Sequence, residues 1–487
     1  MSKTTVLYKD TAAGAERDAS VSAEGRSDFS DIEKLPDGVS PKGAATLENN
    51  QWLLGGNFVL LENEETAFWS EDMSLNDCTF ASPPVITVDF TKQYSSVGIS
   101  LVFDTAGGNY CSSLNIKWYQ GETLKSEKDF EPDSPLYFCE NRVESYNKIV
   151  ITLNKTSLPF RRAKIQQIIF GLHRTFDMSE LRAVSVTNEM SLISDELPVS
   201  TLRWTLDSRA DVDFMFQIKQ PVEIRNGGSL LGVYYIDEAV RSSERVYDID
   251  CRDAFGILDE LTFEGGAYLS GKSAKELINE ILGEDFTAEY DDNVSDTVLT
   301  GILNPSSKRE ALKQVLFAWG VCASTDGRDN IRVFSLPEDA FEISADRTYT
   351  GLKVTTETAV TKVSVTAHRY EEDENGSLEL NGIKYSDTQT VYSVINPDVT
   401  ASDRQKTVEI QGATLVSEKN GQNTAQRVYD FYRKRNTGKA KIVWEGERLG
   451  DRLALHNPWG GVNTVHISKM EIKLSNTAAA DCEGKGE

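Results

Sequence analysis

The sequence predicts a mainly β, multidomain chain. Segments that alternate apolar and polar residues at a period of two recur over most of the length, and that is the pattern of half-buried strands. Turn signals separate them, among them Pro83-Pro84, Gly107-Gly108-Asn109, Asn226-Gly227, Asn375-Gly376 and Asn381-Gly382. The 487 residues are also too many for one core, at roughly 100–200 residues per domain.

Lys9 to Asn50 is rich in Ala, Ser, Gly, Asp and Glu and has one aromatic, Phe29. Such a composition predicts an extended arm or linker over residues 1–50, with Thr5 to Tyr8 able to add a short strand to a later sheet. The texture changes at Gln51. Val85–Phe90 and Val97–Phe103 are β-rich, and Leu114, Ile116 and Trp118 alternate with polar residues, as do Ile149, Ile151 and Leu153. Strands at this spacing predict a β-sandwich over 51–176. A second β segment, 177–262, contains Trp204, Leu206, Phe214, Phe216 and Ile218 in phase. Its hairpin signal is Val222 to Ile236, turning at Asn226-Gly227.

Residues 263–345 read as a small α/β domain. Ser273-Ala274-Lys275-Glu276 and Ser307-Lys308-Arg309-Glu310 are capping boxes. Each opens a helix with one apolar face, Leu277, Ile278, Ile281 and Leu282 in the first, Leu312, Val315, Leu316 and Trp319 in the second. Gly283 and Gly320 stop them. β structure returns over 346–475, interrupted by one helix with Ala425, Val428, Tyr429 and Tyr432 on a face. The last residues, 476–487, are small and polar and predict a flexible tail.

The net charge of −25 argues against nucleic acid as a specific ligand, since a phosphate backbone requires clustered Lys and Arg. No stretch approaches the ~20 apolar residues of a membrane span, and the N-terminus lacks the apolar run of a signal peptide. The expectation is therefore folding in the cytoplasm and no membrane insertion. Cys78, Cys111, Cys139, Cys251, Cys322 and Cys482 are dispersed and form no CxxC pair. They read as buried thiols, with a pairing among the first three left open. His173, His368, His456 and His466 have no ligand spacing, so no metal is expected.

Gly266-Ala267-Tyr268-Leu269-Ser270-Gly271-Lys272-Ser273 matches the phosphate-loop pattern. Its preceding residues, Glu260 to Gly265, are too polar for the buried strand such a loop must leave. The segment reads as a glycine turn into a capped helix, with no cofactor. No serine elbow, catalytic cysteine context or histidine–nucleophile motif is present, so no catalytic residue is assigned. The acidic runs Glu62–Glu65, Asp291-Asp292 and Glu371–Glu374 read as solvated turns rather than paired glycosidase acids. Aromatics in or near the first sandwich's loops could stack on sugar rings, and Trp52, Trp69, Tyr94 and Tyr110 are the candidates. Most such aromatics are core, and Trp118, in phase with Ile116, is read as core.

Two family resemblances follow from ordered sets of runs. Ala67-Phe68-Trp69-Ser70, Pro84 to Phe90, Leu114 to Tyr119, Tyr146 to Ile151 and Phe160 to Gly171 resemble a galactose-binding-like (discoidin, or coagulation-factor C-type) domain. That resemblance implies a jelly-roll-like sandwich that often binds glycans with loops at one end. Val199 to Ser208, Phe214 to Pro221, Gly232 to Ile236, Tyr247 to Ala254, Arg309 to Gly320 and Gly450 to Leu453 resemble hub proteins of phage tails and contractile injection machines. This second resemblance implies two tube-like β-barrels, 177–262 and 346–475, with the α/β domain between them. It also implies a homotrimer at a virion tail tip or baseplate, meeting tail tube, spike or needle, tape-measure and baseplate proteins.

The leading expectation is a non-enzymatic structural hub. A carbohydrate-binding host-recognition protein is the rival. A wall-degrading hydrolase or an NTPase ranks last.

Overall fold

Alternation in the sequence becomes alternation in burial. In Cys111–Gln120 every second residue from Leu114 to Trp118 is buried, and Trp118 is fully so. The structure is a computed structural model. It describes residues 4–12, 14–39, 48, 66–208, 216–227, 229–325, 330–349, 351–399, 406–456, 461–474 and 478–486. The chain is mainly β and divides into two units. One is Leu7–Thr175 with Ala210–Gln220; the other is Met1–Val6, Phe176–Arg209 and Pro221–Glu487.

The first unit is a β-sandwich. Its strands run in the order Phe68–Met73, Arg162–Ile169, Val85–Phe103, Leu136–Thr156, Cys111–Gln120, Thr123–Phe130. Two of them are long enough to serve both layers. The first part of Val85–Phe103 pairs with Lys148 to Thr152, and its last residues pair with Ile165 to Ile169. Register shifts between Asp89 and Gly98 bend it at the corner. The core between the layers includes Phe68, Ile86, Val88, Leu101, Phe103, Ile116, Trp118 and Ile151.

The expected arm over residues 1–50 is corrected by the structure. Thr4–Thr11 is a strand, and Ala15–Asp18 is a helical turn. Ser20–Glu24 pairs antiparallel with Val85 to Asp89. Ala12, Ala15, Ile32 and Leu35 join the sandwich core, Leu35 with no exposure at all. The low mean hydropathy of the segment concealed a few apolar residues placed where they close the sandwich. Asp18 adds a polar anchor by accepting from the Thr91 and Lys92 amides, both at 3.0 Å. These hydrogen bonds, led by that from the Thr91 hydroxyl, lower its carboxyl pKa.

In the second unit the two β segments meet in one sheet. The order is Lys353–Thr356, Asn436–Val443, Ala478–Gly486, Val462–Leu474, Leu181–Glu189, Thr201–Asp207, Val246–Arg252, Ser229–Arg241, Pro221–Asn226. The junction is the antiparallel ladder of Ser185 to Glu189 against Lys469 to Lys473. The anticipated hairpin forms, but Asn226 is the last residue of its strand, opposite Ser229, and the positive φ falls on Gly227, at 61°.

The expected flexible tail over 476–487 is also corrected. Ala478–Gly486 is an interior strand, hydrogen-bonded to Asn436–Val443 on one side and Val462–Leu474 on the other. Its residues are small because neighbouring backbone crowds them. A Cβ on Gly486 would stand 1.8 Å from the Thr464 carbonyl oxygen, and one on Gly484 would stand 2.3 Å from that of His466.

The two helices expected between residues 263 and 345 form, in a core that also draws on Ile193, Leu197, Phe255 and Leu258. Ala274–Leu282 and Lys308–Trp319 are capped by Ser273 and Ser307, whose hydroxyls accept from Glu276 N at 3.3 Å and Glu310 N at 3.2 Å. Both helices bury their apolar faces in a core shared with Gly421–Arg433 and with Val363, Val365 and Ala367. Those three valine and alanine residues lie on Lys362–Glu372. That strand sits in a separate four-stranded sheet, ordered Leu378–Leu380, Ile383–Ile395, Lys362–Glu372, Thr407–Ile410.

Candidate binding site at one end of the sandwich

Three loops lie together at one end of the sandwich: those after Phe68–Met73, after Val85–Phe103 and after Leu136–Thr156. Side-chain hydrogen bonds tie them. The Thr156 hydroxyl reaches Ser74 Oγ at 2.6 Å, and Ser74 N donates to the Arg161 carbonyl at 2.8 Å. The Arg161 guanidinium, buried, donates through Nε to Asn109 Oδ1 at 3.3 Å. Asn109 Nδ2 in turn donates to Asp104 Oδ2 at 2.9 Å. Gly107 N closes the turn on Asp104 Oδ1 at 2.8 Å. A Cβ on Gly107 would fall 2.3 Å from Asp104 Oδ2, so any larger residue there would have to displace the Asp104 carboxylate from this turn.

The centre of the network is Lys164. Its ammonium lies 2.5 Å from Glu48 Oε2, 3.8 Å from Asp104 Oδ2 and 4.4 Å from the centre of the Trp69 ring. The Lys164 and Glu48 side chains are 5% and 2% exposed. Desolvating such charges costs several kcal/mol each. Here two carboxylates, Glu48 and Asp104, offset two cations, Lys164 and Arg161, and the cation–π contact adds to the balance. Phe160 and Cys78, both non-glycine, hold φ angles of 57° and 69° in these loops, a backbone state that costs free energy unless its surroundings impose it. Met73, Leu75, Leu158 and Phe160 crown the end with exposed apolar surface.

The four sugar-site candidates fare differently. Trp69 is half-buried in the Phe68–Met73 strand, with Lys164 on its face. Tyr110 is half-buried directly after Asn109. Those two border the same network. Tyr94 is not a loop residue. It lies within Val85–Phe103, 9% exposed, edge-on to Phe90, and its hydroxyl donates to Asp18 Oδ2 at 3.1 Å. Burial, then the hydrogen bond to Asp18, pushes its phenol up to about 12. Trp52 lies outside the described residues.

Sequence reading missed Glu48, Asp104, Asn109, Arg161 and Lys164. The pattern Asp104-x-x-Gly107-x-Asn109 was a usable turn signal. Glu48 meets Lys164 across 116 residues of sequence, and no local pattern announces such a contact. The arrangement holds aromatic and amide surface in fixed positions, with Lys164 paired to Glu48 and the Arg161 guanidinium hydrogen-bonded to Asn109. Such fixed surface suits binding.

The phosphate-loop match folds otherwise. Gly266–Ser273 is a strand paired with Val298–Leu303. The Lys272 ammonium is taken by Glu280, and Ser273 Oγ donates to Asp296 Oδ2 at 2.6 Å. The six cysteines are unpaired. Burial alone pushes the Cys111 thiol up to about 12, and burial is the largest cause at Cys322, also raised to about 12. Among the described residues no group of three or more His, Cys, Asp or Glu side chains is placed to hold a metal ion. Among the described residues no helix is long and apolar enough to cross a membrane.

No family model matches the sequence, and no curated protein matches it. Solved structures with a similar fold include a tail protein from Neisseria meningitidis MC58, with TM-score 0.48, 10% identity, and coverage of 64% of this chain and 93% of that one. The 43 kDa tail protein of prophage MuSo2 from Shewanella oneidensis gives TM-score 0.42, 11% identity and coverage of 63% and 97%. Prophage tail protein gp18 from Listeria monocytogenes gives TM-score 0.43, 10% identity and coverage of 64% and 91%.

Proposed function

We propose that the chain is a structural subunit of a phage or phage-tail-like particle, a trimeric hub at the tail tip that joins the tail tube to spike and baseplate components. One observation carries this reading. The β segments on either side of the α/β part, which are those resembling hub proteins, enter a single sheet through the antiparallel ladder of Ser185–Glu189 and Lys469–Lys473. Such a sheet leaves strand edges that a ring of sister copies would close.

The test is assembly. Light scattering of the full chain with and without tail-tube protein is expected to give a threefold mass, alone or on the tube. A chain that stays monomeric at high concentration and does not join tube protein overturns the reading.

A second reading applies to the sandwich alone. Trp69 and Tyr110, both half-buried beside the Lys164 network, favour a host-surface glycan as its ligand. Glycan-array binding by the full chain, lost in Trp69→Ala with the fold intact, tests it; absence of any glycan signal rejects it.

A further inference from the structure

The strand Thr407–Ile410 ends its four-stranded sheet. It pairs in parallel with Lys362–Glu372. The direction of its backbone groups follows from one contact. The Lys406 carbonyl accepts from Thr361 N at 2.9 Å, and Lys406 N donates to Thr361 Oγ1 at 3.1 Å. Lys406 therefore faces inward, as do Val408 and Ile410 by alternation. Thr407 and Glu409 turn their N–H and C=O groups outward, and both residues are exposed. Among the described residues no strand pairs with that outer edge.

A groove of about 400 Å³ runs beside it. Phe317, Val408, Ile410 and Tyr432 supply its apolar wall. The charged groups lining it are Asp195, Glu310 and Glu409 against Lys313 alone, and Lys313 is already paired with Glu310 at 2.7 Å. The same acidity is felt at Tyr432. Its phenol pKa is raised by burial first and then by the charges of Asp195, Glu357 and Glu196.

An open edge beside an apolar, acidic trough has the elements of strand addition: backbone groups supply affinity and alternate side chains supply specificity. We propose that the outer edge of Thr407–Ile410 binds an extended segment of another polypeptide, with Lys or Arg at alternate positions, as an added strand. Self-pairing of two copies through this edge is disfavoured, because it would bring two acidic grooves together. The inference stands apart from trimerisation, since it is read by peptide binding and not by mass.

A fluorescein-labelled short peptide of alternating Lys and Val, titrated into the full chain and followed by anisotropy, is expected to bind saturably. The Glu–Val counterpart is expected not to bind. Thr407→Pro removes one outward N–H and leaves the inward ladder intact. Losing that hydrogen bond is expected to weaken binding about tenfold, while the melting profile stays that of the parent. Glu409→Lys, which alters charge without touching the backbone, is expected to weaken it similarly and serves if Thr407→Pro unfolds.

Absence of saturable Lys–Val binding overturns the proposal. So does equal binding of both peptides, or parental affinity in a folded Thr407→Pro or in Glu409→Lys. Self-association without peptide that disappears in Thr407→Pro also overturns it, by assigning the edge to a second copy.

Discussion

Leu35→Ala is the sharpest probe of the N-terminal segment. Leu35 is fully buried in the sandwich core, and its carbonyl accepts from Ile168 N at 2.8 Å. Truncating a buried leucine to alanine costs about 2–5 kcal/mol, the lost transfer energy plus a cavity term. A value of about 3 kcal/mol suits a segment that can partly collapse onto the hole. In a unit of this size each kcal/mol moves the melting temperature by about 2–4 °C, so the expected drop is about 6–12 °C. Differential scanning calorimetry of the full chain reads it, and only the transition of the sandwich unit is expected to move. Phe29→Ala is the control. Phe29 is 59% exposed, and its loss is expected to change stability by no more than about 0.5 kcal/mol. If Leu35→Ala melts with the parent and the control, the segment is not part of the core, and the account of how the sandwich closes is wrong.

Other consequences can be checked in parallel. Lys164→Met strands Glu48 as a buried, unpaired carboxylate and is expected to cost about 3–5 kcal/mol, whereas the double variant with Glu48→Gln recovers much of the loss; chemical denaturation in a double-mutant cycle measures it. Gly486→Ala forces a Cβ against the Thr464 carbonyl and is expected to raise amide exchange along Ala478–Gly486 and both neighbouring strands. His466 is buried with Nε2 2.9 Å from the Pro337 carbonyl oxygen, and burial lowers its pKa below 6.5. Its folded state thus favours the neutral ring, so its contribution is present above the unfolded pKa and is lost as pH falls through the folded one. Urea midpoints of the second unit between pH 7.5 and pH 5 are expected to decline less steeply in His466→Gln, which keeps a donor for Pro337.

Where periodicity and capping act within a few residues, the sequence was readable. Ser273 and Ser307 cap the helices expected of them, Trp118 is core, and Val222 to Ile236 forms the expected hairpin, although Asn226 ends its strand rather than entering the turn. Reading failed where placement outweighed composition. Leu35 and Ile32 are isolated apolar residues in a polar stretch, yet both are buried. Ala478–Gly486 looked frayed because it is small, and its smallness is what lets it lie between two strands. The sandwich-end network was the least legible part. Its Lys164 and Glu48 are polar residues on which apolar patterning is silent, and their partnership is long-range. Tyr94 failed for a related reason: the residue that holds its hydroxyl, Asp18, comes from the segment taken for an arm.

The ladder joining Leu181–Glu189 to Val462–Leu474 also governs how the second unit can be made. Glu189 and Lys469, which form an ion pair there, are separated by 280 residues. Bringing such distant stretches together carries a large entropic penalty before any bond repays it, so the step is slow. Until it happens each of the two strands shows a bare flank to any other nascent copy, and mispairing competes with correct closure. Refolding from denaturant should therefore lose yield steeply as protein concentration rises, with dilution restoring it.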